Sequence, residues 1–184
     1  VIRNSLVAAV DEMGLALQRS AYSSNIKTRA DFSCMFFDRH LRSVAQAFTQ
    51  PIHLGGLYHM VPLVVRKYGV EKLGVGDGIL TNHPFLGGVH LNDVSLISPV
   101  HYRGEICGFV ASLAHHVDVG GGAPASIGAF REIYQEGIII PPVKLIKGGL
   151  LDEDLFHFLI ANIRTERETS GDLRAQLAAN KLGQ

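Results

Sequence analysis

Two apolar runs separated by a short polar segment constrain the fold of this chain most strongly. Residues 94–99 read VSLISP and residues 106–113 read ICGFVASL, with the polar stretch HYRGE at 101–105 between them. Apolar runs of this length that flank a turn are typical of buried strands. The pattern therefore predicts a β-hairpin whose two strands are both buried.

Further segments place helices and strands around this hairpin. In the first twenty residues, Ile2, Leu6, Val10, Met13 and Leu17 recur at helical spacing, which predicts an amphipathic helix. We also predict helices over 54–68, 153–161 and 172–182, a hairpin formed by 31–38 and 43–46, and strands over 77–81, 137–140 and 143–146. Together these elements predict an α+β fold, with a mixed β-sheet and hairpin core and flanking helices.

The charge and hydropathy of the chain exclude some classes of partner. Lys and Arg total 17, Asp and Glu also total 17, and the chain has no extended basic run. Such a neutral chain is not typical of proteins that bind nucleic acid or anionic membranes. Its first residues lack the pattern of a signal peptide, and no stretch approaches the ~18 apolar residues that span a bilayer. We therefore expect a cytoplasmic protein.

Length and cysteine content give two further expectations. The 184 residues suit a single domain, and the two cysteines, Cys34 and Cys107, are predicted to be buried thiols and not a disulfide. The first predicted helix starts at residue 1 without a methionine, and the last one reaches the final residue. We therefore expect a fragment of a larger subunit.

Ionisable side chains are concentrated where predicted strands meet turns. They are Asp31, His90, Asp93 and the adjacent pair His115 and His116. Imidazole and carboxylate groups together suit zinc, manganese or iron. A turn after two glycines brings a histidine and an aspartate three residues apart towards one ion, and a single hairpin brings His115 back beside His90. The pattern indicates a metal site.

Each of these residues also has a structural interpretation. A single histidine at a strand end more often bonds a backbone carbonyl than a metal. Asp31 is compatible with a turn or a helix cap, and Asp118 with an Asx turn before Gly120. The triple glycine at 120–122 is followed by neither of the common phosphate-binding glycine motifs, so nucleotide binding by this segment is not expected.

A series of short motifs in fixed order carries a resemblance to a known family. They are TRADFSC (28–34), VAQ (44–46), PIHLG (51–55), NHPFLGGVHLND (82–93), HHVDVG (115–120), EI (132–133), QEG (135–137), PPVK (141–144), NIR (162–164) and GDLRAQ (171–176). The chain resembles the hydantoinase B family over nearly its whole length. That family includes N-methylhydantoinase B, the carboxyl-terminal part of 5-oxoprolinases, caprolactamase, and the large subunits of acetone and acetophenone carboxylases.

The resemblance implies a cofactor, a ligand set and a partner. It implies a divalent metal, zinc or manganese, held by Asp31, His90, Asp93 and His115. It also implies a hydantoinase A-type partner subunit that binds ATP, so that ATP is handled outside this chain in a hetero-oligomer. On this basis residues 1–184 form a single metal-binding domain, the N-terminal segment of a longer hydantoinase B-type subunit.

The chain departs from the usual family pattern at two positions. The family reads NDP where this chain has His83 between Asn82 and Pro84, and THLPD where this chain has Asn92 before Asp93. We expect Asn92, which replaces a proline, to loosen the turn that carries the presumed ligands.

The resemblance implies metal-dependent hydrolysis of a cyclic amide such as a hydantoin, 5-oxoproline or a lactam. In this interpretation Asp31 is both a ligand and the general base, and His116 or Asp118 orients a ligand histidine. Two alternatives remain open. One is a segment of an ATP-dependent ketone carboxylase, and the other is a non-catalytic scaffold whose histidines are ordinary core residues.

Overall fold

The computed structural model describes residues 1–47 and 49–184, and its centre is a single seven-stranded sheet. The strands are β1 (Phe32–Asp38), β2 (Ser43–Gln46), β3 (Gly78–Thr81), β4 (Asp93–Tyr102), β5 (Glu105–His115), β6 (Val143–Lys147) and β7 (Leu150–Leu151). They lie in the order β2-β1-β5-β4-β3-β6-β7. Every described strand pair is antiparallel. The α+β fold is therefore confirmed, although the strand directions are not mixed as expected.

In the described part of the chain, five α-helices cover the two faces of the sheet. They are α1 (Ile2–Ser20), α2 (Ser24–Lys27), α3 (Pro51–Tyr68), α4 (Glu153–Ile160) and α5 (Glu166–Gly183). Side chains alternate between the faces of a strand, so neighbouring residues of β5 enter different cores. Leu113 packs in the core beneath α3, whereas Ala114 packs against α1 and α5. The sheet is thus sandwiched between α3 and the remaining large helices.

The central hairpin has the form that the sequence predicts. Strands β4 and β5 pair along their length, from Asp93 opposite His115 to Tyr102 opposite Glu105. A bulge between Val100 and His101 shifts the register near the hairpin turn. The pairing places the start of β4 and the end of β5 side by side at one edge of the sheet, where both strands meet loops.

The predicted strand over 137–140 is wrong. These residues pair with no strand among those described. They are instead held by individual bonds: the amide of Ile138 donates to the carbonyl of Val119 at 2.8 Å, and the amide of Ile140 donates to the side chain of Asn82 at 2.7 Å. A buried apolar run of four residues looks like a strand in the sequence even when its backbone is bonded by a loop and a side chain and not by a neighbouring strand.

The predicted helices are confirmed, with changed boundaries. Helix α3 starts at Pro51, three residues before the predicted start, because proline suits the first turn of a helix. Helix α5 starts at Glu166, before the predicted residue 172, and it includes Gly171. The ring of Tyr22 packs directly on Gly171, so close packing explains a glycine that the sequence alone would place outside a helix.

A stripe of polar residues on α5 is buried, and two of its members bond the sheet. Asp172, Gln176 and Asn180 lie four residues apart and are fully buried. The Gln176 amide donates to the carbonyl of Val94 at 3.0 Å, and the Asn180 amide donates to that of Leu96, also at 3.0 Å. Because buried amides are stabilised only when they are bonded, these contacts set the position of α5 over β4.

The cysteine prediction is half correct. Both thiols are free, and burial raises the pKa of Cys34 to about 12, but Cys107 is exposed near the hairpin turn. No helix among the described residues combines the length and hydropathy that crossing a membrane would require.

The loop before β4 packs tightly on α3 through Gly87, which allows a test of this contact. Gly87 has φ +100°, and a Cβ there would lie 2.8 Å from the amide nitrogen of Met60. Gly104 has a similar φ of +87° but nothing within 4 Å. We expect Gly104→Ala to lower the free energy of unfolding by about 1–2 kcal/mol, and Gly87→Ala by about 1–3 kcal/mol more. Equal losses in denaturant titrations would contradict the contact.

Candidate metal centre

A buried carboxylate lies where the central hairpin ends. Asp93, the first residue of β4, is opposite His115, the last residue of β5. Side chains of directly opposite residues project from the same face of a sheet. The side chain of Asp93 is completely buried, and Nδ1 of His115 donates to its Oδ1 at 2.6 Å. A buried carboxylate requires such partners, so this pair is the nucleus of the site.

His90 joins the pair from the turn before β4. Its Nδ1 and its backbone amide both donate to Oδ2 of Asp93, each at 3.0 Å. The backbone amide of Asp93 in turn donates to the carbonyl of His90 at 3.1 Å. The turn therefore brings two residues three apart to the same side, whereas an extended strand would separate them. The ring of His90 is more than half exposed and borders the opening of the site.

His53 on α3 completes the cluster, and sequence analysis did not propose it. Its ring is almost fully buried, and its Nε2 lies 3.6 Å from Oδ1 of both Asp93 and Asp31. The residue falls within the PIHLG motif, which was the one available signal. The sequence predicts a helix that begins at residue 54, and His53 lies just before it. The observed helix starts at Pro51 and turns His53 towards the sheet.

Asp31 approaches the cluster from the residue before β1. Its carbonyl accepts a hydrogen bond from the amide of His115 at 3.0 Å, which continues the ladder between β1 and β5. Its side chain is 31% exposed, so it faces both His53 and solvent. Asp31 thus lies at the boundary of the cluster, where a carboxylate is accessible to a small molecule.

Burial and neighbouring charges shift the pKa values of the ionisable groups in this cluster in opposite directions. Burial favours the neutral form of Asp93, but the hydrogen bond from His115 and the charges of the surrounding imidazoles lower its pKa below 3.8. Burial also opposes protonation of His115, yet its contact with Asp93 raises the pKa above 6.5. For His53, burial outweighs the attraction of the two carboxylates and lowers the pKa. A carboxylate and a neutral imidazole are therefore available as ligands.

The donor atoms of this cluster fit a single divalent ion. His53, Asp93 and His115 each offer one ligand atom, and these atoms lie within 4.8 Å of one another. Zinc binds imidazole nitrogen and carboxylate oxygen at about 2.0–2.2 Å, so its ligand atoms lie roughly 3–4 Å apart. Nitrogen and oxygen ligands of this kind suit zinc or manganese. Asp31 and His90 are adjacent to this set.

His116 and Asp118 bond residues outside this cluster. Nε2 of the buried His116 lies 2.9 Å from Oε1 of Gln176 on α5. Asp118 accepts from the guanidinium of Arg164 at 3.1 Å and from the amides of Gly120 and Ala125, so it holds the loop after β5. Among the described residues, neither side chain bonds His90 or His115. An orienting role for either would therefore be indirect and stays a prediction.

The two departures from the family pattern lie in the segment between β3 and β4. Asn92 does not loosen its turn as expected, because its side-chain amide donates to the carbonyl of His116 at 2.9 Å. The ring of His83 packs edge-on against Phe85, with centroids 6.0 Å apart. Asn92 therefore ties the turn to the end of β5 by a contact that the family's proline cannot make.

Comparisons with known proteins agree over the full chain. A family model described as Hydantoinase B/oxoprolinase matches residues 1–184. A protein of Methanocaldococcus jannaschii is 43% identical over 186 residues, which cover 100% of this chain and 33% of that protein. The 5-oxoprolinase of Dictyostelium discoideum is 38% identical over 188 residues, which cover 100% of this chain and 14% of that protein.

A structural comparison gives the same result. The caprolactamase subunit beta of Pseudomonas jessenii is 36% identical over 185 residues, covering 100% of this chain and 32% of that protein. The crystal structure of the ATP-dependent caprolactamase from that organism matches with a TM-score of 0.91 over 100% of this chain and 32% of the crystallised chain. This chain thus spans about a third or less of the length of these relatives.

The pairing of His115 with Asp93 predicts a pH dependence of stability in the metal-free protein. Because the pKa of His115 is raised on folding, its charged form stabilises the fold below about pH 6.5, and this contribution is lost as pH rises through the raised value. Asp93, with its lowered pKa, stays ionised throughout this range. In a chelator, the free energy of unfolding lost in His115→Gln should therefore be larger at about pH 6 than at about pH 9.

The control for this measurement is the same substitution in an Asp93→Asn background, which removes the carboxylate. Denaturant titrations should show little pH dependence of the His115→Gln effect there. A loss that grows with rising pH in the wild-type background would contradict the pairing.

Proposed function

Because the chain belongs to the hydantoinase B/oxoprolinase family, we propose that it binds one divalent metal ion, zinc or manganese, and takes part in ATP-coupled hydrolysis of a cyclic amide. The named relatives, 5-oxoprolinase and ATP-dependent caprolactamase, act on cyclic amides. The observation that carries the proposal for this chain is the convergence of His53, Asp93 and His115 at one edge of the sheet. Three such side chains converging from separate elements would be unusual for a scaffold without a site.

The residues of the cluster would divide into those that hold the metal ion and one that takes part in proton transfer. His53, Asp93 and His115 are buried and would hold the ion, with His90 and Asp31 completing its environment. The bound ion would supply Lewis-acid polarisation of the amide carbonyl. Asp31 is partly exposed and is the carboxylate best placed to accept a proton from water that attacks the ring. No covalent nucleophile is required.

His116 and Asp118 act indirectly in this proposal. The backbone of His116 continues from His115, and its ring is anchored on Gln176 of α5. Asp118 with Arg164 fixes the loop that follows. They support the ligand histidine by holding the end of β5 in place, in agreement with the general importance of groups behind a metal ligand.

ATP enters the proposal through a partner subunit. The name caprolactamase subunit beta implies at least one other subunit, and the related crystal structure is of an ATP-dependent enzyme. This chain offers no glycine motif of the common nucleotide-binding types. We therefore assign ATP to a hydantoinase A-type partner in a hetero-oligomer.

Metal analysis of His53 variants tests the site. His53→Ala should lower metal affinity by at least about tenfold, because one ligand of a small set is lost. His59 lies on the same helix but is exposed, so His59→Ala is a matched control that should retain the metal. Metal content of the purified full-length protein is measured for both variants. Equal occupancy in wild type and His53→Ala, or no stoichiometric metal in the wild type, would favour a scaffold.

Ring-opening assays test the reaction. The full chain and its partner should open 5-oxoproline, a hydantoin or a lactam only when ATP is present. Asp31→Asn should lower kcat by about 100-fold or more while metal occupancy falls much less, because the amide oxygen still coordinates but accepts no proton. Near-normal turnover would make Asp31 a structural residue. If the protein incorporates bicarbonate into a ketone and opens no ring, the proposed reaction is a carboxylation and not a hydrolysis.

A further inference from the structure

Asn92 makes two hydrogen bonds to a single residue on the neighbouring strand end. Its side-chain Nδ2 donates to the carbonyl of His116 at 2.9 Å, and its own carbonyl accepts from the amide of His116 at 2.9 Å. Asn92 is buried, so water competes little with these bonds. The two bonds close a ring between the turn that carries His90 and the residue that follows His115.

We propose that Asn92 is a positioning residue that fixes the register of His90 and Asp93 against His115. This inference rests on the proposed metal function of the site, because its consequence is the geometry of the ligands. Asn92 itself does not contact the ion in this account. It acts through the backbone of His116.

The proposed ligands stay together only if the register between β4 and β5 is unchanged. Side chains alternate along a strand, so a slip by one residue would turn His115 to the opposite face of the sheet, away from Asp93. The bulge between Val100 and His101 already shifts the register of the same strand pair at its other end. The Asn92 contact lies at the end where the ligands are, one residue beyond the last pair of the ladder.

A second buried asparagine holds the turn without setting this register. Nδ2 of Asn82 donates to the carbonyl of Leu91 at 2.7 Å, and its other bonds go to Ile138 and Ile140. Asn82 therefore attaches the turn to the segment at 138–140. The side chain of Asn92, by contrast, attaches it to the strand that carries His115.

Metal titration of two leucine variants tests the proposal. Asn92→Leu removes the side-chain donor without adding charge. Asn180→Leu is a matched control, since Asn180 is also buried and donates to a carbonyl of β4, that of Leu96, three residues along the strand from Asp93. At equal folded fraction, the Mn²⁺ and Zn²⁺ affinities of the full chain should fall by about tenfold to a hundredfold in Asn92→Leu and by less than about twofold in Asn180→Leu. Similar losses in both variants would overturn the proposal.

Hydrogen exchange provides a readout that needs no metal. In the metal-free protein, exchange of the His116 amide should be about tenfold faster in Asn92→Leu, while that of Ala111 in the middle of β5 should not change. Unchanged exchange at His116 would overturn the proposal. If Asn92→Leu does not fold, Asn92→Ser, whose hydroxyl is too short to reach His116, takes its place in both measurements.

The two proposals fail in different ways. If wild-type protein binds Mn²⁺ or Zn²⁺ and Asn92→Leu binds it equally well, the role of Asn92 is wrong and the proposed function stands. If wild-type protein binds neither ion, the proposed function and this inference are both overturned.

Discussion

The buried carboxylate of Asp93 is the constraint on which the rest of this site depends. A negative charge that is buried away from water strongly destabilises the folded state unless hydrogen-bond donors surround it. The fold supplies them from His90 in the preceding turn and His115 on the opposite strand, and it places Nε2 of His53 on α3 3.6 Å from the same carboxylate. Because all three of these side chains are imidazoles, the groups around the carboxylate are also of the type that binds zinc or manganese. The stability of the buried carboxylate and the proposed metal binding thus require the same arrangement of residues at the end of the central hairpin.

The sequence predicted the parts of this arrangement that depend on local pattern. The apolar runs predicted the central hairpin, and the glycines before His90 predicted a turn that brings it to Asp93. The same hairpin predicted that His115 lies near Asp93, because residues at the open end of a hairpin are neighbours. These inferences required only the two-residue period of strands and the turning tendency of glycine.

The missed features depend on contacts between distant parts of the chain. His53 was not proposed because it precedes the predicted helix over 54–68, and only the packing of the observed α3 on the sheet turns it towards Asp93. The run at 137–140 looked like a strand, yet Asn82 and Val119 bind its backbone instead. Asn92, in place of the family's proline, was expected to loosen its turn, and the bond that contradicts this joins it to His116, 24 residues away. Tertiary hydrogen bonds of this kind leave no periodic signal.

Metal-edge anomalous diffraction from crystals of the metal-loaded full-length protein tests the central claim most directly. The account predicts one strong peak at the edge of the sheet, within about 2.3 Å of a ring nitrogen of His53, a ring nitrogen of His115 and a carboxylate oxygen of Asp93. A peak bound elsewhere, or no peak with the Asp93 carboxylate still bonded to His90 and His115, would show that the cluster is a structural ion-pair network and contradict the assignment.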